Sequence, residues 1–572
     1  MTVALVGSGP ARDAVAAALG DVDAQVTDLD PTVVGGADLA IVVGQAGDVA
    51  FETVDERARE SGTPWLAVEI GGIGGYPVVE AAVSAFGPGT ACYRCLQSRV
   101  RSNADPDQEP QAAPDAETAR FAGAIAGREA AKLVAGKRSS IVGGVIEVPH
   151  AQRQFLPVPD CVCAGERDRR LGDDHVDRDL DEALTRAEQG LDERVGVVAE
   201  VGEAESFPAP YYLATVADTS EFSDATAPRQ AAGVAADWDA AFMKALGEGY
   251  ERYSAGIYRT SEFETGTAAE IDDAVPPSTF VCADGDDWTT ADEHTEVEWV
   301  PGRNLDTDGD VWLPAEFVHF PPPTERFRPA VTTGLGLGNS TTEALLSGLY
   351  EIIERDAAML SWYSTFDPLG LSVDDETFGT LRRRAKSEGL DVVPLLLTQD
   401  VDVPVVAAAV HREEWPRFAV GLSAHLDPAR AARSALAEAL QNWLEIRGMG
   451  PDDAADESGA IGHFADFPGE AQTFLAVGSS VPAEQVGPDE VPAGSDHLDA
   501  VVSRLRDADL DVYGSRLTPR DVDALGFEAV RAIVPSAQPL FFDSPYFGER
   551  AEGIPESMGF EARLDRDHHP YP

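Results

Sequence analysis

Four short apolar runs, separated by helical or polar segments, constrain the fold of the first part of the chain most strongly. TVALVG, AQVTD, ADLAIVVG and TPWLAVEIGG each have the composition of a strand, and DAVAAALG after the first has the spacing of a helix. Strands that alternate with helices pair in parallel, because each connection crosses the sheet before the next strand begins. The sequence therefore predicts an amino-terminal Rossmann-like α/β domain with a parallel sheet.

The turn after the first strand, Gly7-Ser8-Gly9-Pro10, stands where a dinucleotide-binding fold holds pyrophosphate. Arg12 occupies the position of the third glycine of that fingerprint. The damaged fingerprint favours a tight structural turn, and a retained nucleotide site is the alternative.

Four of the five cysteines come in two close pairs, and they predict a zinc knot. Cys92 and Cys95 form a C-x-x-C motif, and Cys161 and Cys163 form a later C-x-C motif. Four thiolates in two close pairs can complete the tetrahedral shell of a structural Zn²⁺. Buried free thiols or a redox pair are the alternatives. Cys282 stands apart, and an apolar helix is predicted between the pairs at residues 117–135.

Acidic residues outnumber basic ones by 100 to 43, which gives a formal net charge of −57. They are spread over the whole chain, a pattern typical of a solvated, halophilic surface, with an acidic partner-binding face as the alternative. Such a surface repels the phosphates of nucleic acids and of anionic lipids. We therefore expect no nucleic-acid and no membrane partner. In so acidic a chain, no carboxylate pair is by itself evidence of a site.

The length of 572 residues favours several domains. We predict an amino-terminal domain with the cysteine pairs at residues 1–165, a polar linker at residues 166–192 and one large catalytic domain at residues 193–572. Residues 388–410 and 508–534 resemble each other weakly, which predicts internal pseudo-symmetry in the catalytic domain.

The chain begins with a strand rather than a secretory leader, and no apolar run is long enough to span a bilayer. Localisation in the reducing cytoplasm is expected.

Two helical segments of the third region repeat the pattern Glu-x-x-Glu-Arg. The first carries Glu248, Glu251 and Arg252, and the second carries Glu351, Glu354 and Arg355. Glu343 lies about three full turns before Glu354 and shares its face of the helix. Hard carboxylate oxygens suit Mg²⁺, and arginine pairs with phosphate, so the pattern is suited to a magnesium–polyphosphate site.

A glycine-rich stretch, Gly334-Leu335-Gly336-Leu337-Gly338, leads into the second of these helices. Its glycines are expected to let the backbone approach a ligand closely. Asn339 and Ser340 are both candidate helix caps. Solvated helix faces remain the alternative interpretation of both glutamate patterns.

The amino-terminal motifs resemble those of a known domain. AFGPGTACYRCLQSR and FLPVPDCVCAG look like the ThiF-like (ubiquitin-activating-enzyme-like) domain of azoline-forming cyclodehydratases. The resemblance implies docking of a peptide leader rather than adenylation. The C-x-C motif departs from the C-x-x-C that is usual in that family.

GLGLGNSTTEALLSGLYEIIERDA and AFMKALGEGYERYSAG resemble signatures of the YcaO superfamily, and further similar stretches cover most of residues 193–572. The resemblance implies an α/β and α+β chain whose large mixed α/β catalytic domain binds ATP and Mg²⁺. It implies nucleotide contacts for nine residues: Glu248, Glu251, Asn339, Glu343, Glu351, Glu354, Arg355, Arg433 and Gln441. It implies magnesium contacts for four of them, Glu251, Glu343, Glu351 and Glu354. It implies catalytic roles for Arg355 and Arg252. Glu438 falls in a family motif without an assigned role. Val234 and Lys244 depart from the lysine and the serine of many relatives.

The fused layout of the two domains implies an ATP-dependent cyclodehydratase. A thiol or hydroxyl of a precursor peptide would attack the preceding carbonyl, whose oxygen would take a phosphoryl group, and phosphate loss would close a thiazoline or oxazoline ring. A flavin-dependent azoline oxidase and a second copy of the chain are candidate partners. The alternatives are thioamidation, an accessory role in ribosomal-protein methylthiolation, or a catalytically retired peptide-binding scaffold. The ending Pro570-Tyr571-Pro572 resembles a short form of a proline-rich tail that reaches the active site in members of the family. A frayed chain end is the alternative.

Overall fold

The computed structural model describes residues 1–105, 114–149, 151–165, 167–292, 294–457, 459 and 461–571. Residue 166, where the predicted linker begins, and Pro572 of the predicted tail lie outside the described residues. Within this part of the chain, no helix is long and apolar enough to cross a membrane.

The amino-terminal region contains one seven-stranded sheet with helices packed on it. Strands β1–β7 span Thr2–Val6, Gln25–Asp28, Leu39–Gln45, Trp65–Ile70, Ala81–Phe86, Gly144–Glu147 and Ala151–Gln154. Helices α1–α4 span Pro10–Leu19, Val49–Ser61, Tyr93–Ser102 and Ala116–Val134. The strand order is β2-β1-β3-β4-β5-β6-β7. The predicted Rossmann-like fold is thereby confirmed.

The sheet is parallel only over β1–β4, and the strands from β5 onward run antiparallel to their neighbours. The chain passes from β4 to β5 through a short connection without a helix. A connection of this kind reverses the direction of the chain, whereas a parallel neighbour needs a crossover of a dozen residues or more. The prediction of a parallel sheet therefore holds for the first four strands.

The predicted helix at residues 117–135 is α4, which begins one residue earlier. Asp115 caps it, because its side chain accepts hydrogen bonds from the backbone N–H groups of Glu117 and Thr118 at 2.9 and 2.8 Å. In the damaged glycine turn, the Arg12 guanidinium pairs with Asp28, the residue that ends β2. In a dinucleotide-binding fold, an acid in this part of the chain binds the ribose of the ligand. The pairing of Asp28 with Arg12 therefore favours the structural interpretation of the turn.

The described residues of the rest of the chain build three further sheets. Strands β8–β21 span Val198–Glu205, Tyr211–Val216, Gln230–Val234, Glu264–Thr267, Glu296–Asn304, Asp310–Pro314, Leu335–Gly338, Leu369–Ser372, Asp391–Leu396, Val405–His411, Phe418–Ala424, Ser480–Pro482, Tyr513–Arg516 and Glu528–Ile533. Helices α5–α16 span Leu180–Ala187, Trp238–Ala255, Ala315–Val318, Thr341–Trp362, Glu376–Ser387, Pro428–Met449, Pro451–Asp456, Ile461–Ala465, Gly469–Phe474, Ser495–Asp507, Arg520–Leu525 and Arg550–Ser557.

Two of these sheets share a pattern that explains the weak internal repeat. In one sheet β14 pairs with β21 and leads into α8, and in another β18 pairs with β17 and leads into α10. The two repeated sequence segments supply β16–β17 and β20–β21, which are both antiparallel pairs. The predicted mixed α/β, pseudo-symmetric architecture is thereby confirmed.

The predicted polar linker is packed on the catalytic region where the structure describes it. It contains α5, and the Thr341 hydroxyl donates a hydrogen bond to the carboxylate of Asp174 at 2.7 Å. The Arg178 guanidinium donates to the backbone oxygen of Gly526 at 2.6 Å. The two boundaries between the three predicted ranges stay a prediction.

A buried polar triad joins the amino-terminal region to the catalytic region. Arg99 of α3 pairs with Asp521 of α15, and neither side chain is exposed to solvent. The Tyr253 hydroxyl of α6 donates to the same carboxylate at 2.5 Å and accepts from Arg99 at 3.2 Å. Buried charges of this kind are stable only when their remaining hydrogen bonds are satisfied.

We expect Tyr253→Phe to lower the free energy of unfolding by about 2 kcal/mol, because it removes a hydrogen bond to a buried charge. The measurement is denaturant unfolding monitored by tryptophan fluorescence. Tyr513→Phe, at a half-buried tyrosine outside the triad, is the control. Equal stability of the Tyr253→Phe variant and the unmodified chain would contradict the structural role of the triad.

Candidate functional site

Three strand–helix units build one site. Strand β10 leads into α6, β14 into α8 and β18 into α10. In each strand a glycine faces the backbone of its own helix. A Cβ atom at Gly233, Gly336 or Gly421 would lie 2.2, 2.1 or 2.4 Å from the nearest helix backbone atom. These glycines therefore bring each helix against its strand.

This observation changes the interpretation of the glycine-rich stretch before α8. The sequence predicts that its glycines let the backbone approach a ligand closely. At Gly336 and Gly338, the backbone that leaves no room for a side chain belongs to α8, at Ala344. Ser340 is the helix cap, because its hydroxyl accepts from the backbone N–H of Glu343 at 3.5 Å.

Each helix bonds through one glutamate to the strand segment that precedes it. Glu248 accepts a hydrogen bond from the backbone N–H of Ala232 at 2.9 Å, and Glu351 accepts one from Gly334 at 2.8 Å. On α10, Glu438 accepts one from Leu422 at 3.4 Å.

The glycine contacts align the units, because Gly233, Gly336 and Gly421 face the backbone nitrogens of Ala245, Gly348 and Ala439. Three residues after these nitrogens the units carry Glu248, Glu351 and Asn442, and three residues further they carry Glu251, Glu354 and Glu445. The two Glu-x-x-Glu-Arg patterns thus have a third counterpart, Asn-x-x-Glu-Ile, and Glu438 lies one helical turn before it.

The three helices enclose a cavity of about 1000 Å³. A second cavity of about 640 Å³ shares several of its walls. Of the predicted site residues, the larger cavity is lined by Glu248, Glu251, Arg252, Glu343, Glu351, Glu354, Arg355 and Gln441. Asn339 lines the smaller one. The structure therefore brings these predicted residues together.

Four glutamates of the cavity, Glu248, Glu251, Glu354 and Glu438, have raised pKa values. Burial raises the pKa of Glu251 to about 8, and the negative charges of Glu351 and Glu248 add to the effect. Burial and the charge of Glu438 raise the pKa of Glu354 well above its usual range. The pKa of Glu438 itself is raised to about 7, mainly by burial. The cavity therefore holds more carboxylate charge than its own arginines neutralise, and it suits a divalent cation with oxygen ligands.

The two arginines of the Glu-x-x-Glu-Arg patterns occupy equivalent positions. Arg252 pairs with Glu248 and donates to the backbone oxygen of Gln230 at 2.7 Å. Arg355 pairs with Glu351 at 2.9 Å and donates to the hydroxyl of Thr333 at 2.6 Å. Each arginine is thus held beside the cavity by the first glutamate of its own pattern.

Glu343 is tied to the loop before α8. Its carboxylate accepts from the backbone N–H and the side-chain amide of Asn339 at 2.9 and 3.0 Å. The side-chain oxygen of Asn339 is buried and accepts no hydrogen bond from any described residue. A buried acceptor that the described residues do not satisfy suits a ligand that supplies a hydrogen-bond donor or a cation.

Arg433 lies apart from the other predicted residues. Its guanidinium pairs with Asp375 at 2.8 Å, and it lines neither cavity. Gln441 does line the larger cavity and donates to the carboxylate of Glu445 at 3.0 Å. The nucleotide contact assigned to Arg433 stays a prediction.

Several cavity residues were not assigned to the site from the sequence. They are Lys244, Arg430, Glu445, Tyr211, Tyr350 and the three histidines His175, His425 and His497. The spacing of Arg430, Ser434, Glu438, Gln441 and Glu445 on one face of α10 is the signal that could have indicated part of this set.

The carboxyl-terminal tail packs in the core rather than fraying. Tyr571 is 4% exposed, and its ring centroid lies 6.3 Å from that of Trp362 at the end of α8. His569 bonds to the backbone oxygen of Phe541 at 2.7 Å. None of these tail residues lines the larger cavity.

The four paired cysteines form a second candidate site. The sulfur of Cys92 lies 3.5 Å from that of Cys161 and 3.8 Å from that of Cys95, and Cys95 lies 3.5 Å from Cys163. All four sulfur atoms lie within 4.8 Å of one another. A tetrahedral Zn²⁺ with bonds of about 2.3 Å separates its sulfur ligands by about 3.8 Å. The donor set therefore fits one zinc ion.

The surroundings of the cysteines support thiolate ligands. Cys92 lies at the start of α3, where the helix dipole favours negative charge. The backbone N–H of Val158 donates to the sulfur of Cys95 at 3.4 Å. Cys282 is half-buried and does not belong to the cluster, as predicted.

Comparison with known proteins agrees with this geometry. Residues 232–538 match the family model described as YcaO cyclodehydratase, ATP- and Mg²⁺-binding. An uncharacterized protein of Methanothermobacter thermautotrophicus is 31% identical over 343 residues, which are 56% of this chain and 84% of that protein.

Two solved structures are similar over nearly the whole chain. A heterocyclase in complex with substrate and cofactor has a TM-score of 0.77 and 21% identity, and the match covers 98% of this chain and 83% of that one. The heterocyclase TruD has a TM-score of 0.69 and 20% identity, with 98% and 82% covered. At these identities the likeness establishes a shared fold, which includes the amino-terminal region.

Proposed function

Because the chain belongs to the YcaO cyclodehydratase family, whose description is ATP- and Mg²⁺-binding, we propose that it uses ATP to close thiazoline or oxazoline rings in a peptide. The observation that supports this most directly is the cavity between α6, α8 and α10. Glutamates from all three helices, Glu248, Glu251, Glu351, Glu354 and Glu438 among them, line it.

The glutamates and arginines of the cavity have distinct proposed roles. Glu251, Glu343, Glu351 and Glu354 would hold Mg²⁺, whose charge neutralises that of the phosphates. Asn339 and Gln441 would contact the nucleotide. Arg252 and Arg355 are each fixed by a glutamate of the same helix, so their guanidinium groups are positioned in advance for charge that develops during phosphoryl transfer.

In the proposed reaction, the thiol or hydroxyl of a peptide side chain attacks the preceding backbone carbonyl carbon. The carbonyl oxygen then takes the terminal phosphoryl group of ATP. Phosphate leaves with that oxygen as the amide nitrogen loses its proton and the carbon–nitrogen double bond forms. The peptide loses one water overall, and ADP and phosphate are released.

The amino-terminal region has a proposed role in docking the peptide. The heterocyclase that shares the fold is in complex with a substrate and a cofactor, which supports substrate binding by this chain. A flavin-dependent azoline oxidase and a second copy of the chain are further proposed partners. The zinc of the cysteine cluster is proposed as structural.

We expect the purified chain, supplied with Mg²⁺, ATP and a short peptide encoded beside its gene, to remove one water per ring from the peptide. Mass spectrometry of the peptide and release of one ADP per ring are the measurements. A peptide without cysteine, serine or threonine is the control.

Other outcomes would identify the alternatives. Exchange of oxygen for sulfur in the peptide, in the presence of sulfide, would indicate thioamidation. Absence of Mg²⁺–ATP binding would contradict the proposal and leave a peptide-binding scaffold.

A further inference from the structure

One position distinguishes the three strand–helix units from one another. The contacts of the three strand glycines with their helices align Lys244 of α6 with Ser347 of α8 and Glu438 of α10. All three side chains line the larger cavity. Only the α6 unit therefore places a positive charge at this position.

Lys244 is exposed to the cavity, and it lines both cavities. Among the described residues, its ammonium group forms no hydrogen bond and no ion pair, although seven glutamates line the same cavity. The protein walls around it lower its pKa, and the charge of Glu438 opposes that effect. A lysine whose only role were to neutralise these glutamates would be expected to contact one of them.

The composition of the chain makes the lack of an acidic partner for Lys244 among the described residues unexpected. The chain has only four lysines and a net charge of −57, so an acidic partner is available for almost any cation. On the surface, Lys386 pairs with Asp391 at 2.5 Å. Lys244 instead projects a compact charge with three donors into a space shared by the nucleotide and magnesium residues of the proposed function.

We infer that Lys244 binds the polyphosphate of the nucleotide directly, as a fixed cation that adds to the divalent ions held by the glutamates. This inference rests on the proposed ATP site. The lysine charge does not depend on metal concentration, whereas the carboxylates bind phosphate only through Mg²⁺. Part of the nucleotide affinity of this chain is therefore independent of Mg²⁺.

The test is ATP binding by isothermal titration calorimetry, once with saturating Mg²⁺ and once with excess EDTA. We expect the unmodified chain to bind ATP measurably in EDTA. Lys244→Ser, which installs the residue of the α8 unit, should bind at least about tenfold more weakly in EDTA, because a charge-assisted contact is lost. Lys244→Arg should retain part of the affinity. Lys386→Ser removes the same charge far from the cavity and should match the unmodified chain.

Equal affinities of Lys244→Ser and the unmodified chain in EDTA would overturn the inference. So would a complete loss of ATP binding by the unmodified chain in EDTA together with normal binding in Mg²⁺. Failure of the unmodified chain to bind ATP in Mg²⁺ would instead contradict the proposed function. Thermal unfolding of each variant confirms that it is folded.

Discussion

Replacing Glu354 by glutamine is expected to reduce ATP-dependent ring formation about 100-fold or more and, at the same time, to stabilise the nucleotide-free protein. Activity falls because a proposed magnesium ligand is lost, and a metal ion contributes several kcal/mol of charge stabilisation to phosphoryl transfer. Stability rises because Glu354 is buried beside Glu438, which raises its pKa well above the usual range. Glutamine keeps the shape of the side chain and removes the charge.

The expected gain in the free energy of unfolding is about 1 kcal/mol or more above neutral pH, since one unit of pKa shift corresponds to about 1.4 kcal/mol. Glu56→Gln on the exposed face of α2 removes one charge without touching the cavity and is the matched control. Steady-state ADP release and denaturant unfolding give the two measurements. The prediction is contradicted if the Glu354→Gln variant is less stable than the unmodified chain. It is also contradicted if the variant is as active as the unmodified chain.

The same cluster predicts a pH dependence of stability whose sign follows from the raised pKa values. Between about pH 5 and about pH 8, the folded chain retains protons on Glu251 and Glu438 that the unfolded chain has released. The free energy of unfolding contributed by these groups therefore falls as the pH rises through this interval. Near pH 8, Mg²⁺ binding should raise the free energy of unfolding again, and protons should be released when the ion binds. Unfolding curves at several pH values, with and without Mg²⁺, measure both effects.

The elements that could be predicted from the sequence are those whose pattern is local. The apolar runs of β1–β4 and the helix α4 stand out because buried strands and capped helices have distinct periodicities. The same holds for the predicted face of α8, where Glu343 and Glu354 both line the cavity. The four cysteines were predictable as a cluster because two close pairs suit one metal shell.

The remaining features depend on contacts between distant segments. The third unit of the site escaped detection because it carries Asn442 and Ile446 where the other two carry the first glutamate and the arginine of their pattern. The contact of Gly421 with the backbone of Ala439 shows the equivalence. Arg433 resembles a site residue in sequence, yet Asp375 holds it outside both cavities. The antiparallel strands β5–β7 follow from the connections between them rather than from their own composition.

Replacing Cys161 by serine is expected to abolish zinc binding and to unfold the part of the chain around the cysteine cluster. The sulfur of Cys161 lies beside that of Cys92, and the motif that contains it joins the end of the amino-terminal region to α3. A structural zinc site contributes about 10 kcal/mol or more, which is comparable with the whole stability of a domain. Serine leaves three thiolates and an incomplete shell.

The measurements are zinc content by inductively coupled plasma mass spectrometry, with one ion per unmodified chain expected, and thermal unfolding with and without a chelator. Cys282→Ser is the matched control, because it removes a thiol outside the cluster and should leave both results unchanged.

A thiol titration of the denatured, unreduced chain separates the alternatives, since a redox pair would hide two of the five thiols in a disulfide. An unmodified chain with all thiols free and no bound metal would contradict the zinc assignment and leave buried thiols as the explanation. Since Arg520 donates to the backbone oxygen of Cys161 at 2.8 Å, loss of the ion is expected to disturb the contact between the cluster and α15 as well.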